Sequence, residues 1–158
     1  MTASELEISR RAQDMRAEFD ASFAERPRPV VHEEEDVLLL RAGAQELAIR
    51  LSEVAAMTTR PAITAVPTLH PAMIGIVSDR GQVAAAWDLG RLLELPAQPP
   101  RWLVVPAAER GVAITFGHFA GFRRVESAHL GPDRTLSLPG LVETIRRRCA
   151  GLGSERGA

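Results

Sequence analysis

The sequence predicts a mainly β protein, one or two small barrels or a sandwich with a helix at each end. Three observations carry that expectation. Short apolar runs recur along residues 37–127, among them "VLLLRAGAQELAIRL", "AMIGIVSD", "QVAAAW", "RWLVVP", "GVAITF" and "FRRVES". Turn-forming clusters separate nearly all of them, including Asp79-Arg80-Gly81, Glu109-Arg110-Gly111 and Gly131-Pro132-Asp133; glycine accepts positive φ without a Cβ clash. Helical periodicity appears at the two ends and in one short internal piece, a pattern that suits a closed or stacked sheet.

Residues 4–25 read as a helix, since Ile8, Ala12, Met15, Phe19 and Phe23 recur at spacings of three and four. Ser4 and Glu7 match a capping box and Pro27 stops the helix, which makes residues 1–26 an amphipathic N-terminal segment. Its stripe either covers the body or meets a partner helix. Residues 27–36, "PRPVVHEEED", combine prolines with four consecutive acids and are expected to be an extended linker. The folded body is then residues 37–150.

Within the body, Ala42-Gly43-Ala44 joins the first two runs as a hairpin. "DLGRLLEL" at 88–95 is a short helix, and "LPGLVETIRRRC" at 138–149 is a terminal helix docked through Leu141, Val142 and Ile145. Three prolines in "PAQPP", residues 96–100, resist both helix and sheet interior and divide the body into subdomains of about 37–97 and 98–150. Residues 151–158 are expected to be a disordered tail.

Composition narrows the function. The 158 residues are 46% apolar and 25% charged, values of a globular chain. Residues 1–36 carry ten acids and five bases, the rest ten acids and fourteen bases, and every base is arginine. Cys149 stands alone, so no internal disulfide forms, and a reducing, cytoplasmic setting is expected. No run approaches the ~18 apolar residues of a membrane span.

Chemical constellations are also missing. His32, His70, His118 and His129 lie far apart without ligand spacing, so no metal is expected. Ser78 has no G-x-S-x-G context, and neither a G-x-x-x-x-G-K nor a G-x-G-x-x-G loop occurs, which argues against an enzyme and against a cofactor. Arg123, Arg124 and the run Arg146-Arg147-Arg148 offer an alternative, a stand-alone SH3-like barrel that binds nucleic acid. Cations in the last turn of a helix have a simpler account in the helix dipole.

The order of features over residues 46–95 resembles the CheW family of chemotaxis coupling proteins. Val54, then Ile63-Thr64-Ala65-Val66, Gly75-Ile76-Val77, the Arg80-Gly81 turn and a closing Asp88-Leu89 follow the family's sequence of motifs. A fainter likeness continues through residues 101–125. The resemblance implies two SH3-like five-stranded barrels and a non-catalytic adaptor role. Such an adaptor ties the cytoplasmic part of a chemoreceptor to a CheA-type histidine kinase or to another CheW-like protein. Val54, Met57, Ile76 and Arg80 map onto the family's receptor groove, and Phe119 is added to them; for Met57 and Ile76, ordinary barrel packing is the competing account.

Three departures from the family pattern matter. Ala56 stands where an acidic partner for Arg80 is common, leaving Glu53 or Asp79 as substitutes. Phe116-Gly117 replaces a Val-Asp. After "FRRVESAHLGPDRTLSL" the chain passes directly to its terminal helix and omits a strand pair, so the second barrel is expected to be incomplete and the kinase contact weakened or lost.

Overall fold

The computed structural model describes residues 2–24, 29 and 31–154, without the side chains of 21–24 and 153–154. The described residues contain nine strands and three α-helices in the order α1 (Ala3–Ala24), β1 (Glu34–Ala42), β2 (Gln45–Arg50), β3 (Val54–Thr59), β4 (Ile63–Thr64), β5 (Met73–Asp79), β6 (Gln82–Asp88), α2 (Leu89–Leu92), β7 (Trp102–Pro106), β8 (Val112–Phe116), β9 (His118–Glu126) and α3 (Leu138–Ser154). The chain is mainly β, with the expected helices at both ends.

Residues 1–32 form one unit and 33–158 another. At the start of α1 the residues that pair are Thr2 and Glu5, two residues earlier than the Ser4–Glu7 capping box expected: Glu5 Oε2 accepts from the Thr2 N–H at 3.2 Å and from the Thr2 hydroxyl at 3.3 Å. Thr2 precedes the first helical residue and can leave helical geometry, whereas Ser4 lies inside the helix. Leu6, Ile8, Met15 and Phe19 are exposed. The side chain of Phe23 lies outside the described residues.

The body starts earlier than expected, because Glu34, Glu35 and Asp36 belong to β1 and not to the linker. The charges of Glu35 and Asp36 are matched by arginines of the neighbouring strands. Arg50 Nε donates to Glu35 at 2.7 Å, and Arg124 Nε donates to Asp36 at 2.9 Å. An acidic run reads as solvated chain only while its cross-strand partners are unknown.

Two sheets form, a three-stranded one in the order β2-β1-β9 and a six-stranded one in the order β3-β7-β8-β6-β5-β4. Both draw strands from either side of the proline segment 96–100. The division into 37–97 and 98–150 therefore does not follow the sheets: β3 pairs with β7, β6 with β8, and β1 with β9. Prolines signal where the backbone cannot pair, not which strands pair across the gap. The short unit is the three-stranded sheet, built from both ends of the body. Thr135, following β9, adds one parallel bridge to Ala48 of β2.

Three further boundaries moved. Strands β3 and β4, diluted by alanine and threonine, escaped the pattern of apolar runs. The internal helix shrinks to Leu89–Leu92, capped where Asp88 Oδ1 accepts from the Arg91 N–H at 2.9 Å. The buried Asp88 also accepts from Gln98 N–H through Oδ2 at 3.3 Å, which ties the proline segment to α2. Helix α3 runs on to Ser154, so residues 151–154 are helical where a disordered tail was expected, and 155–158 lie outside the described residues.

The main core is shared by both sheets and α3. Leu38 and Leu40 of β1, Ile49 of β2, Trp87, Val104, Ile114 and Phe116 of the larger sheet, and Leu138, Leu141 and Ile145 of α3 are all buried in it. The α3 residues recur at the spacing of one helical face, and each contributes about 1.5–3 kcal/mol on burial. The first turn of α3 has two caps. Ser137 Oγ accepts from the Gly140 N–H at 3.2 Å, and Glu53 Oε2 accepts from the Leu138 N–H at 2.8 Å.

Candidate protein-docking surface

The segment Asp79-Arg80-Gly81-Gln82 is a two-residue hairpin turn closing β5 and β6, with Asp79 opposite Gln82. Arg80 has φ 48° and Gly81 φ 80°. Positive φ at both central positions defines the type I′ turn, whose twist matches that of the flanking strands. A non-glycine residue there costs about 1–2 kcal/mol, so the hairpin holds Arg80 in a conformation arginine does not prefer. Neither expected substitute partner reaches it. Glu53 is engaged by Leu138 and Arg50, and Asp79 makes no ion pair among the described residues.

Sequence reasoning missed a second arginine. Arg110 precedes Gly111 in the β7–β8 turn, just as Arg80 precedes Gly81. Strands β6 and β8 run parallel with Ala85 opposite Val112, and the Gly111 carbonyl accepts from the Ala85 N–H at 2.9 Å. Hairpin turns that precede two parallel neighbours lie at the same end of the sheet. Arg80 and Arg110 thus line one cavity of about 240 Å³, together with Asp79, Gln82, Ala55, Ala56, Val77, Ala84, Leu103 and Val105. The repeated Arg-Gly turn was the available signal; the parallel pairing that makes it meaningful was not visible.

The acid next to Arg110 is held elsewhere. Glu109 accepts from the Gly111 N–H at 3.0 Å and from Arg146 at 2.8 Å, and these two contacts keep its carboxyl below the usual carboxylate range. Among the described residues Arg110 makes no ion pair.

The five residues singled out from the sequence do not form one patch. Val54 and Met57 pack on the main core, on the opposite face of the larger sheet from the cavity, where Ala56 packs. Ile76, half-buried, pairs with Ala85 and so shares the face of Val54 and Met57. Gly75 precedes it with φ 152°, and a Cβ there would stand 2.3 Å from the Thr64 carbonyl oxygen, so only glycine lets β4 pair with β5.

Phe119 packs against the same main core as Val54 and Met57, but from β9, with its ring 5.0 Å from Trp102 and 5.0 Å from Phe122. Residues three apart point to opposite faces of a regular strand. Here β1 pairs Leu39 with Gly121 but Leu40 with Phe119, and this bulge turns Phe119 and Phe122 to the same side. Phe122 is 61% exposed and was not anticipated.

The arginines offered for nucleic acid are dispersed. Arg124 pairs with Asp36, Arg146 with Glu109, and Arg148 donates to the Leu92 carbonyl at 3.4 Å. Among the described residues, no group of three or more His, Cys, Asp or Glu could hold a metal ion, and no helix is long and apolar enough to cross a membrane.

Comparison with known proteins bears on this architecture. The family model for the CheW-like domain matches residues 36–155. Among solved structures, the scaffolding protein TtCheW from Thermoanaerobacter tengcongensis is similar with a TM-score of 0.55 at 10% identity, over 61% of this chain and 68% of that one, a likeness of fold. No curated protein matches by sequence. Since the family model spans both sheets, from the third residue of β1, and all of α3, the chain belongs to the CheW-like domain family.

Proposed function

We propose that this protein is a non-enzymatic coupling adaptor of a chemosensory signalling system, working in the cytoplasm and binding the cytoplasmic part of a chemoreceptor. Membership of the CheW-like family supports the adaptor role, which asks for surfaces and no reaction centre. One observation carries the site: Arg80 is displayed on a type I′ turn with no carboxylate partner among the described residues. An arginine fork left unpaired within its own chain suits a carboxylate of a partner. Val54, Met57 and Ile76 support this surface from below. Phe119 with the exposed Phe122 adds an aromatic contact at the sheet edge.

The contact with a CheA-type kinase is reduced or lost. The three-stranded sheet supports this reading, because a barrel short of strands offers less of the rolled surface through which such domains meet.

The test is a titration of the purified full chain against a chemoreceptor cytoplasmic fragment and, separately, against the kinase regulatory domain. Arg80→Glu, at an exposed turn, is expected to weaken receptor binding by about tenfold or more, a change of about 1.4 kcal/mol. Unchanged receptor affinity in that variant removes the site. Kinase binding as tight as that of a family member with both barrels complete removes the second part.

A further inference from the structure

Beneath Arg80 and Arg110 the six-stranded sheet encloses a second, smaller core made of Val77, Ala84, Leu103, Val105 and Ala113, with Ala56 packed against it. Three of these six residues are alanine. Large side chains close the main core, but the small ones here leave the cavity of about 240 Å³ open at the end bearing the two Arg-Gly turns. Its walls are buried Val77, Ala84, Leu103 and Val105, and its mouth carries Arg80, Arg110, Asp79 and Gln82. Two guanidinium groups face one carboxylate, and none of the three is ion-paired among the described residues.

We propose that this cavity is a docking site for an acidic protein segment that inserts one large apolar side chain between Arg80 and Arg110. Apolar walls reward an apolar anchor, and the net positive mouth selects carboxylates on either side of it. The volume lies below the ~300–1,000 Å³ typical of small-molecule pockets, which favours a side chain over a free metabolite. Parallel pairing of β6 and β8 fixes both arginines at one rim, so the recognition element exists before the partner arrives. The inference rests on the adaptor reading only in taking the occupant to be a protein. Arg80 belongs to both surfaces, Arg110 to this one alone.

The test uses the full chain and a fluorescein-labelled peptide, Glu-Glu-Leu-Glu-Glu, read by fluorescence anisotropy at low salt. Saturable binding is expected, weakened by about tenfold or more in Arg110→Glu and with the peptide Glu-Glu-Ser-Glu-Glu, and weakened by added salt. Ala84→Leu, which fills the cavity, is expected to abolish it; Arg110→Glu, at an exposed turn, keeps the test valid should that variant not fold. No saturable binding, equal binding of the serine peptide, or unchanged binding by Arg110→Glu overturns the proposal. Sodium hexanoate displacing the peptide at equal concentration overturns it in favour of a small carboxylate. Receptor binding that persists in Arg110→Glu is expected. A parent chain that binds receptor but not the peptide refutes this inference alone, and a parent chain that binds the peptide but not receptor refutes the receptor reading alone.

Discussion

Glu53 holds the terminal helix to the sheets, and removing its carboxylate tests how the body is closed. Its Oε2 accepts from the Leu138 N–H at 2.8 Å, one of the amide groups that a helix start leaves without an intrahelical partner. Leu138 is fully buried, and the Glu53 side chain is only 17% exposed. A hydrogen bond to a charged group contributes about 1.5–3 kcal/mol, and a buried donor left unpaired incurs a penalty of the same order. Arg50, 3.8 Å from Oε1, keeps its closer partner Glu35 when Glu53 is lost, so this contact adds little. Glu53→Ala is therefore expected to destabilise the body by about 2–3 kcal/mol. For a chain of this size that corresponds to roughly 4–12 °C in Tm, at about 2–4 °C per kcal/mol. Glu53→Gln keeps a neutral acceptor and is expected to cost about 1 kcal/mol. Urea unfolding followed by the fluorescence of Trp87 and Trp102, both in the body, measures the change. If both variants stay within about 0.5 kcal/mol of the parent at an unchanged m-value, the capping account of α3 is wrong.

Two further outcomes follow from local geometry. Gly75→Ala places a Cβ 2.3 Å from the Thr64 carbonyl oxygen at φ 152°, so it is expected to cost at least about 1–3 kcal/mol in strain and to detach β4, whereas Gly131→Ala, with nothing within 4 Å, stays within about 0.5 kcal/mol; equal urea midpoints for the two variants would contradict this. His70 accepts from the Ala72 N–H at 3.1 Å and packs edge-on against Trp87 at 4.9 Å, and burial, then the nearby Arg148, lower its pKa from 6.5. The unfolded chain then takes up that proton first, so this contribution is complete above about pH 6.5 and declines as pH falls below it. His70→Gln is expected to flatten the fall in urea midpoint between about pH 7.5 and 5.5, and an identical fall in parent and variant would refute the assignment.

Local pattern alone determined the class of the fold and most of its pieces. Alternating apolar residues and glycine turns specified hairpins such as β1–β2 and β5–β6, because side-chain direction in a strand and positive φ in a turn are properties of a few neighbouring residues. The stripe Leu141, Val142, Ile145 specified the buried face of α3 for the same reason, and the ordered motifs from Val54 to Leu89 sufficed to indicate the family. Arg80 stood out as a turn residue with an exposed fork.

Tertiary structure decided everything that depends on which strands meet. The pairing of β1 with β9 made the acidic run a strand, and the pairing of β3 with β7 carried one sheet across the prolines. These contacts join residues far apart in sequence, and no local period encodes them. The parallel register of β6 and β8 brought Arg110 beside Arg80, and strand alternation, with a register shift between Val54 and Ala56, sent Val54, Met57 and Ile76 to the other face. The bulge at Leu39–Leu40 set Phe122 beside Phe119. A single extra residue in a ladder redirects every side chain beyond it, so a surface assembled from several strands becomes legible only once their register is known.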